Sequence, residues 1–107
     1  MSDDIEVRED AAHHRFQIWV GEKPAGKTVY RGGGELYEFL HTEIDPSFEG
    51  QGLGSKLIRS TLDSIRERDA KLLPYCPFIR AYIQKHPEYK DLVPEEAWAR
   101  FELPESD

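Results

Sequence analysis

Apolar and polar residues alternate along the first forty-odd positions in short runs of period two. Ile5-Glu6-Val7-Arg8-Glu9, Phe16–Val20 and Lys27–Arg31 each follow this pattern, which marks strands with one face turned to a core. Gly21-Glu22-Lys23-Pro24 and Gly32-Gly33-Gly34 read as the turns that join them. Glu35–Ile44 carries Leu36, Tyr37, Phe39, Leu40 and Ile44, apolar to both sides, as expected of a central strand. The period then changes. Leu53, Leu57, Ile58, Thr61, Leu62 and Ile65 fall on one face of a helix reaching about Arg68 or Asp69. Leu72–Tyr75 is a short fifth strand, which Pro74 must end or place at a sheet edge. A second helix from Pro77 to about His86 carries Phe78, Ile79, Tyr82 and Ile83 and stops at Pro87. Pro94-Glu95-Glu96 opens a short third helix with Ala97, Trp98 and Phe101, and Pro104 is expected to close the ordered part. The helix between strands four and five lets them lie parallel. The pattern thus predicts an α/β (α+β) domain with a mixed sheet in the order β-β-β-β-α-β-α, helices against the sheet and a short C-terminal helix.

At 107 residues the chain is expected to form one domain, 1–107, with residues 1–4 and 104–107 flexible. Charged residues make up 33% of it and the mean hydropathy is -0.68, yet five phenylalanines, five tyrosines and two tryptophans argue for a packed core rather than disorder. No apolar run has the length of a membrane span or signal peptide, which suggests a soluble, cytoplasmic protein. A single cysteine excludes an internal disulfide and a thiolate-rich zinc site, and the four histidines lack paired metal-ligand spacing, so no metal is expected. Net charge is -7, split as five basic against eleven acidic residues over 1–50 and nine against ten over 51–107. Such a surface disfavours nucleic acid and anionic lipid as partners. It suits attraction of an amine as well as it suits plain solubility. Open sheet edges in so small a domain allow a monomer or a weak homodimer.

Candidate chemistry begins where the strand pattern gives way to the helix pattern. Asp45-Pro46-Ser47 turns the chain, and glycines at 50, 52 and 54 lead directly into the helix at Leu53. Glycines let a backbone approach an anion closely, and the free amides of a helix start add partial positive charge. On spacing alone the block reads either as a phosphate cradle or as a tight turn. It is not a Walker loop, because Gly54 is followed by Ser55-Lys56 in reversed order, and it lacks the dinucleotide fingerprint. Cys76 precedes Pro77 and so occupies the cap of the second helix, where a thiol is activated; a small buried residue is the alternative. His41 and Glu43 share one side of the fourth strand, and His41 reads either as a general base or as a core histidine.

Glu49-Gly50-Gln51-Gly52-Leu53-Gly54 resembles the pyrophosphate loop of the GNAT acetyltransferase superfamily, Gln/Arg-x-x-Gly-x-Gly/Ala, with Glu49 in place of the leading amide or basic residue. Leu73-Pro74-Tyr75-Cys76-Pro77-Phe78, His86-Pro87-Glu88-Tyr89 and Asp91-Leu92-Val93 resemble a minimal single-domain branch of it, over residues 5–93. The resemblance implies an acetyl-CoA-dependent N-acetyltransferase acting on a small-molecule or protein amine. A non-catalytic CoA-binding or protein-interaction module on the same fold is the alternative. It implies that Gly50, Gln51, Gly52, Leu53, Gly54 and Ser55 bind the diphosphate and that Thr42, Glu43 and Ile44 bind pantetheine between diverging strands. It also implies that Cys76 and His41 approach the thioester from the two strands, with transfer either direct or through Cys76. Glu49 is expected to repel the diphosphate, with Lys56, Arg59 or Lys85 compensating.

Overall fold

The computed structural model describes residues 4–103. Five strands form one sheet in the order β1-β2-β3-β4-β5: β1 Ile5–Asp10, β2 Arg15–Val20, β3 Lys23–Gly33, β4 Leu36–Ile44 and β5 Lys71–Pro74. The first four pair antiparallel, and β5 joins β4 in parallel after the intervening helix α1, Leu53–Glu67. Pro74 costs no ladder bond of consequence because β5 is the edge strand. Helix α2, Pro77–Lys85, follows, and then 3₁₀ turns at Pro87–Leu92 and Glu95–Ala97. The expected third helix is therefore a single 3₁₀ turn. Beyond it Trp98 anchors the chain, with its indole N–H donating to the carbonyl of Val93 at 2.9 Å. Expectations for the termini fall on residues 1–3 and 104–107, outside the described residues, apart from Asp4, whose carbonyl accepts from the Gly21 amide.

One face of the sheet carries the core. Phe16, Ile18, Thr28, Tyr30, Tyr37 and Phe39 pack against Leu57, Ile58, Leu62 and Ile65 of α1 and Ile79 and Ile83 of α2. Such close packing of apolar side chains stabilises the domain by roughly 25 cal/mol for each Å² taken from water. The other face bears Arg15, Gln17, Trp19, Lys27, Val29, Glu38, His41 and Glu43, none of them buried. Two bulges decide which residues go where. At Ala25 β3 gains a residue against β2, so Pro24 lies within the strand instead of in the preceding turn. At Leu40 β4 gains a residue against β3. Leu36 and Leu40 are exposed, so β4 is apolar on one face only, contrary to the two-sided burial its composition suggested.

A polar network ties β1 to the end of α1. Arg68 forms an ion pair with Glu9 and donates to the Tyr37 hydroxyl at 2.9 Å, while the Tyr30 hydroxyl donates to Glu9 at 2.7 Å. The hydrogen bond from Arg68 holds the Glu9 carboxyl below its ordinary range, and burial together with that carboxylate pushes the Tyr30 phenol up. Arg66 plays the same part further on, gripping both oxygens of Asp91 at 2.8 and 3.0 Å and lowering its pKa.

Candidate active site

The site begins where β5 ends. Parallel pairing runs from Leu36/Lys71 to Phe39/Pro74 and stops. The Cys76 amide caps the carbonyl of Phe39 at 2.9 Å, and the chain turns at once into α2. Cys76 has the extended backbone (φ -68, ψ 122) that a residue before proline must take. β4 runs on alone from Leu40 to Ile44, roughly 16 Å of strand without a parallel neighbour at about 3.3 Å per residue. The end of β5 thus leaves a fork-like opening, bounded by β4 on one side and by the turn into α2 on the other.

The glycine loop lies at the mouth of this fork. Asp45 accepts from the Ser47 amide at 2.8 Å and so fixes the turn out of β4. Phe48 and Glu49 donate to Asp45 and Pro46 carbonyls. Gly50 and Gly52 then take left-handed backbone, φ 86 and φ 72, and a Cβ at either would meet nothing within 4 Å. Backbone geometry, not crowding, requires glycine there. Among the described residues, no amide from Gly50 to Ser55 donates to a protein acceptor, and the first bond of the α1 start is Lys56 to the Gly52 carbonyl. Six consecutive N–H groups are thus open at a helix N-terminus.

A groove of about 350 Å³ joins these parts. Thr42, Glu43, Ile44, Gly50, Gly52, Leu53, Gly54 and Ser55 border it together with Phe48, Glu49 and Phe78. Gln51 borders the adjoining groove of about 460 Å³ instead, beside Lys56, Arg59, Tyr82 and His86. Lys85 lies along a third hollow, which shares Ser55 and Phe78 with the first and Ser55, Tyr82 and His86 with the second. Gly54 has an ordinary helical backbone, but a Cβ there would stand 2.5 Å from the Phe78 ring, so its small size seats that ring across the groove. Phe78 is 41% exposed although its helix turns Ile79 and Ile83 inward. The sequence groups Phe78 with Ile79, Tyr82 and Ile83 as the apolar positions of this helix, and its place one residue ahead of the Ile79/Ile83 stripe is the signal that it could point elsewhere.

Cys76 is 1% exposed, and its thiol donates to the Thr42 hydroxyl at 3.1 Å. Thr42 in turn shares a 2.8 Å hydrogen bond with the buried Thr28. The thiol thus sits under the fork, on the strand face that Thr42 and Ile44 share. His41 does not join it. Alternation along β4 puts His41 and Glu43 on the opposite, open face, where the imidazole Nε2 lies 3.0 Å from a Glu43 carboxylate oxygen. The two catalytic candidates stand on the two sides of one strand.

The mixed sheet, the helices packed on it and the open-amide loop place the chain among acyl-transferring α/β domains. The chain belongs to the GCN5-related N-acetyltransferase family, whose model matches residues 15–92. It resembles the solution structure of a protein from Staphylococcus aureus described as a "GCN5-like putative N-acetyltransferase", with a TM-score of 0.65 and 25% identity over 88% of this chain and 91% of that one. No curated protein matches the sequence.

Proposed function

We propose that this acetyltransferase uses acetyl-CoA and transfers its acetyl group to an amine. The observation that carries the reading is the run of open amides at the mouth of the fork. Gly50 to Ser55 would hold the diphosphate through N–H groups reinforced by the helix start. Lys56, Arg59 and Lys85 would offset the exposed Glu49 and hold the ribose phosphate. The unpaired length of β4 at Thr42–Ile44 would take the pantetheine amides, and Phe78 would close the groove over it. Bound there, acetyl-CoA supplies an activated thioester, whose C–S bond breaks as the amine forms the new C–N bond.

His41 and Glu43 would accept the proton of an amine that approaches from the open face of β4, across the strand from Cys76. Their hydrogen bond lets one group take a proton from the amine while the other stays charged beside it. Cys76 has two readings. In direct transfer its thiol is a packing group held by Thr42. In a relay it accepts the acetyl group first, which its position beneath the fork at the start of α2 favours. Calorimetry with acetyl-CoA and desulfo-CoA, followed by turnover assays on an amine panel, tests the whole assignment. Binding without turnover on any amine would leave the non-catalytic module standing. Absence of an acetyl adduct on Cys76 by mass spectrometry, with Cys76→Ala still active, would eliminate the relay.

A further inference from the structure

A pair of aromatic rings marks the end of α2. Tyr82 and His86 stand one helical turn apart, and their rings stack with 4.2 Å between centroids and 29° between planes. Tyr82 is half-buried and packs against the core, whereas the His86 side chain is 43% exposed. The imidazole is therefore backed by the phenol ring and keeps an exposed side. Glu88 comes only to 3.8 Å from its Nδ1, too far for a hydrogen bond. Both rings border the hollows of about 280 and 460 Å³ beside the glycine loop, and Gln51, Gly52, Leu53 and Ser55 border the larger one with them. Lys56 and Arg59 line the larger hollow and Lys85 the smaller. Among the described residues none of these three side chains makes a hydrogen bond or an ion pair. By contrast Arg8, Arg15, Lys27, Arg31, Arg66 and Arg68 each face a carboxylate. In a chain of net charge -7, unpaired cations gathered around a ring pair suit a ligand that joins an anion to a flat heterocycle.

We infer that the exposed side of His86 is the stacking surface for the purine of the acetyl donor, with Tyr82 as its backing. The site so assigned depends on the acetyl-CoA reading above and narrows the donor to thioesters that carry a nucleotide. Gly52, Leu53 and Ser55 border both the groove and the larger hollow, so a nucleoside joined to a diphosphate on the loop amides passes directly to the rings. Its base stacks on the imidazole, and its ribose phosphate lies among Lys56, Arg59 and Lys85. A pantetheine thioester borne on a protein has no purine and no ribose phosphate, and leaves the rings and the cations without a partner.

Calorimetry on the full chain with three donors tests this: acetyl-CoA, acetyl-dephospho-CoA, which lacks the ribose phosphate, and acetyl-4′-phosphopantetheine, which lacks the nucleotide. Amide NMR shifts with adenosine 3′,5′-bisphosphate follow the nucleotide alone. His86→Ala should weaken acetyl-CoA and acetyl-dephospho-CoA by the same factor, roughly five- to a hundredfold, and leave acetyl-4′-phosphopantetheine unchanged. His86→Phe, which keeps a ring, should restore the parental values. Lys56→Gln combined with Arg59→Gln should narrow the gap between acetyl-CoA and acetyl-dephospho-CoA. Adenosine 3′,5′-bisphosphate should give saturable shifts at Gln51, Tyr82 and His86 and compete with acetyl-CoA. Equal weakening of all three donors by His86→Ala, as a merely structural role would give, or no weakening of any, would overturn the inference. So would absence of nucleotide shifts at Tyr82 and His86. Failure of acetyl-CoA to bind would count against the cofactor reading, and the nucleotide titration would then decide the stacking surface by itself.

Discussion

Replacing Gly52 by alanine separates the backbone argument from side-chain effects. Gly52 caps α1 in left-handed backbone, φ 72, with open space where a Cβ would go. The new methyl group therefore meets no atom, and the penalty is conformational, about 1–2 kcal/mol for an L-residue in this region. For a domain near this size each kcal/mol lowers the melting temperature by about 4–8 °C. The chain can relieve that strain only by rotating the peptide planes on either side, which turns amides of the loop away from the groove. A hydrogen bond to a charged group contributes about 1.5–3 kcal/mol, so loss of one weakens acetyl-CoA binding by roughly ten- to a hundredfold. Gly52→Asn, which tolerates left-handed backbone better, should lie between parent and alanine variant in both measures. Thermal melts and calorimetry on the three proteins give the comparison. If Gly52→Ala loses stability but keeps the parental Kd for acetyl-CoA, the open amides are not what holds the cofactor.

Gly54→Ala should behave differently: the helix gains up to about 1 kcal/mol in propensity, yet the Phe78 ring must swing aside. Denaturation should then show near-parental stability while calorimetry shows weaker acetyl-CoA binding. Thr42→Val removes the acceptor of the Cys76 thiol and the partner of buried Thr28. It should cost about 1–3 kcal/mol in a urea unfolding series. Glu9 and Asp91 are held below their ordinary range by hydrogen bonds from Arg68 and Arg66. The stability they contribute is complete above the pKa of the unfolded carboxyls and is lost as pH falls through the lowered folded values. Melts from neutral to about pH 3 should accordingly show a shallower acid loss for Glu9→Gln and Asp91→Asn than for the parent.

The strand and helix periods carried most of the architecture in their own right. Leu57, Ile58, Leu62 and Ile65 point one way because a 3.6-residue repeat permits nothing else, and the buried face of α1 agrees. Bulges escaped the reading because an extra residue changes pairing without changing composition. Leu40 therefore looked central and lies outside, and Pro24 looked like a turn and lies in a strand. Glycines 50 and 52 announced a left-handed loop through their lack of a Cβ, but their spacing alone could not say whether the amides would be left open. Sequence order could place His41 and Cys76 on neighbouring strands. It could not show that β4 would turn them to opposite faces, since that depends on the register set at the Leu40 bulge.

Among the described residues the helices lie on one side of the sheet, so β4 separates the groove from the open face behind it. Thr42 and Ile44 border the groove, His41 lies on the open face, and Glu43 borders both the groove and the hollow over β2 and β3. Drift at His41 can retune the open face while Thr42 and Ile44 keep the groove unchanged.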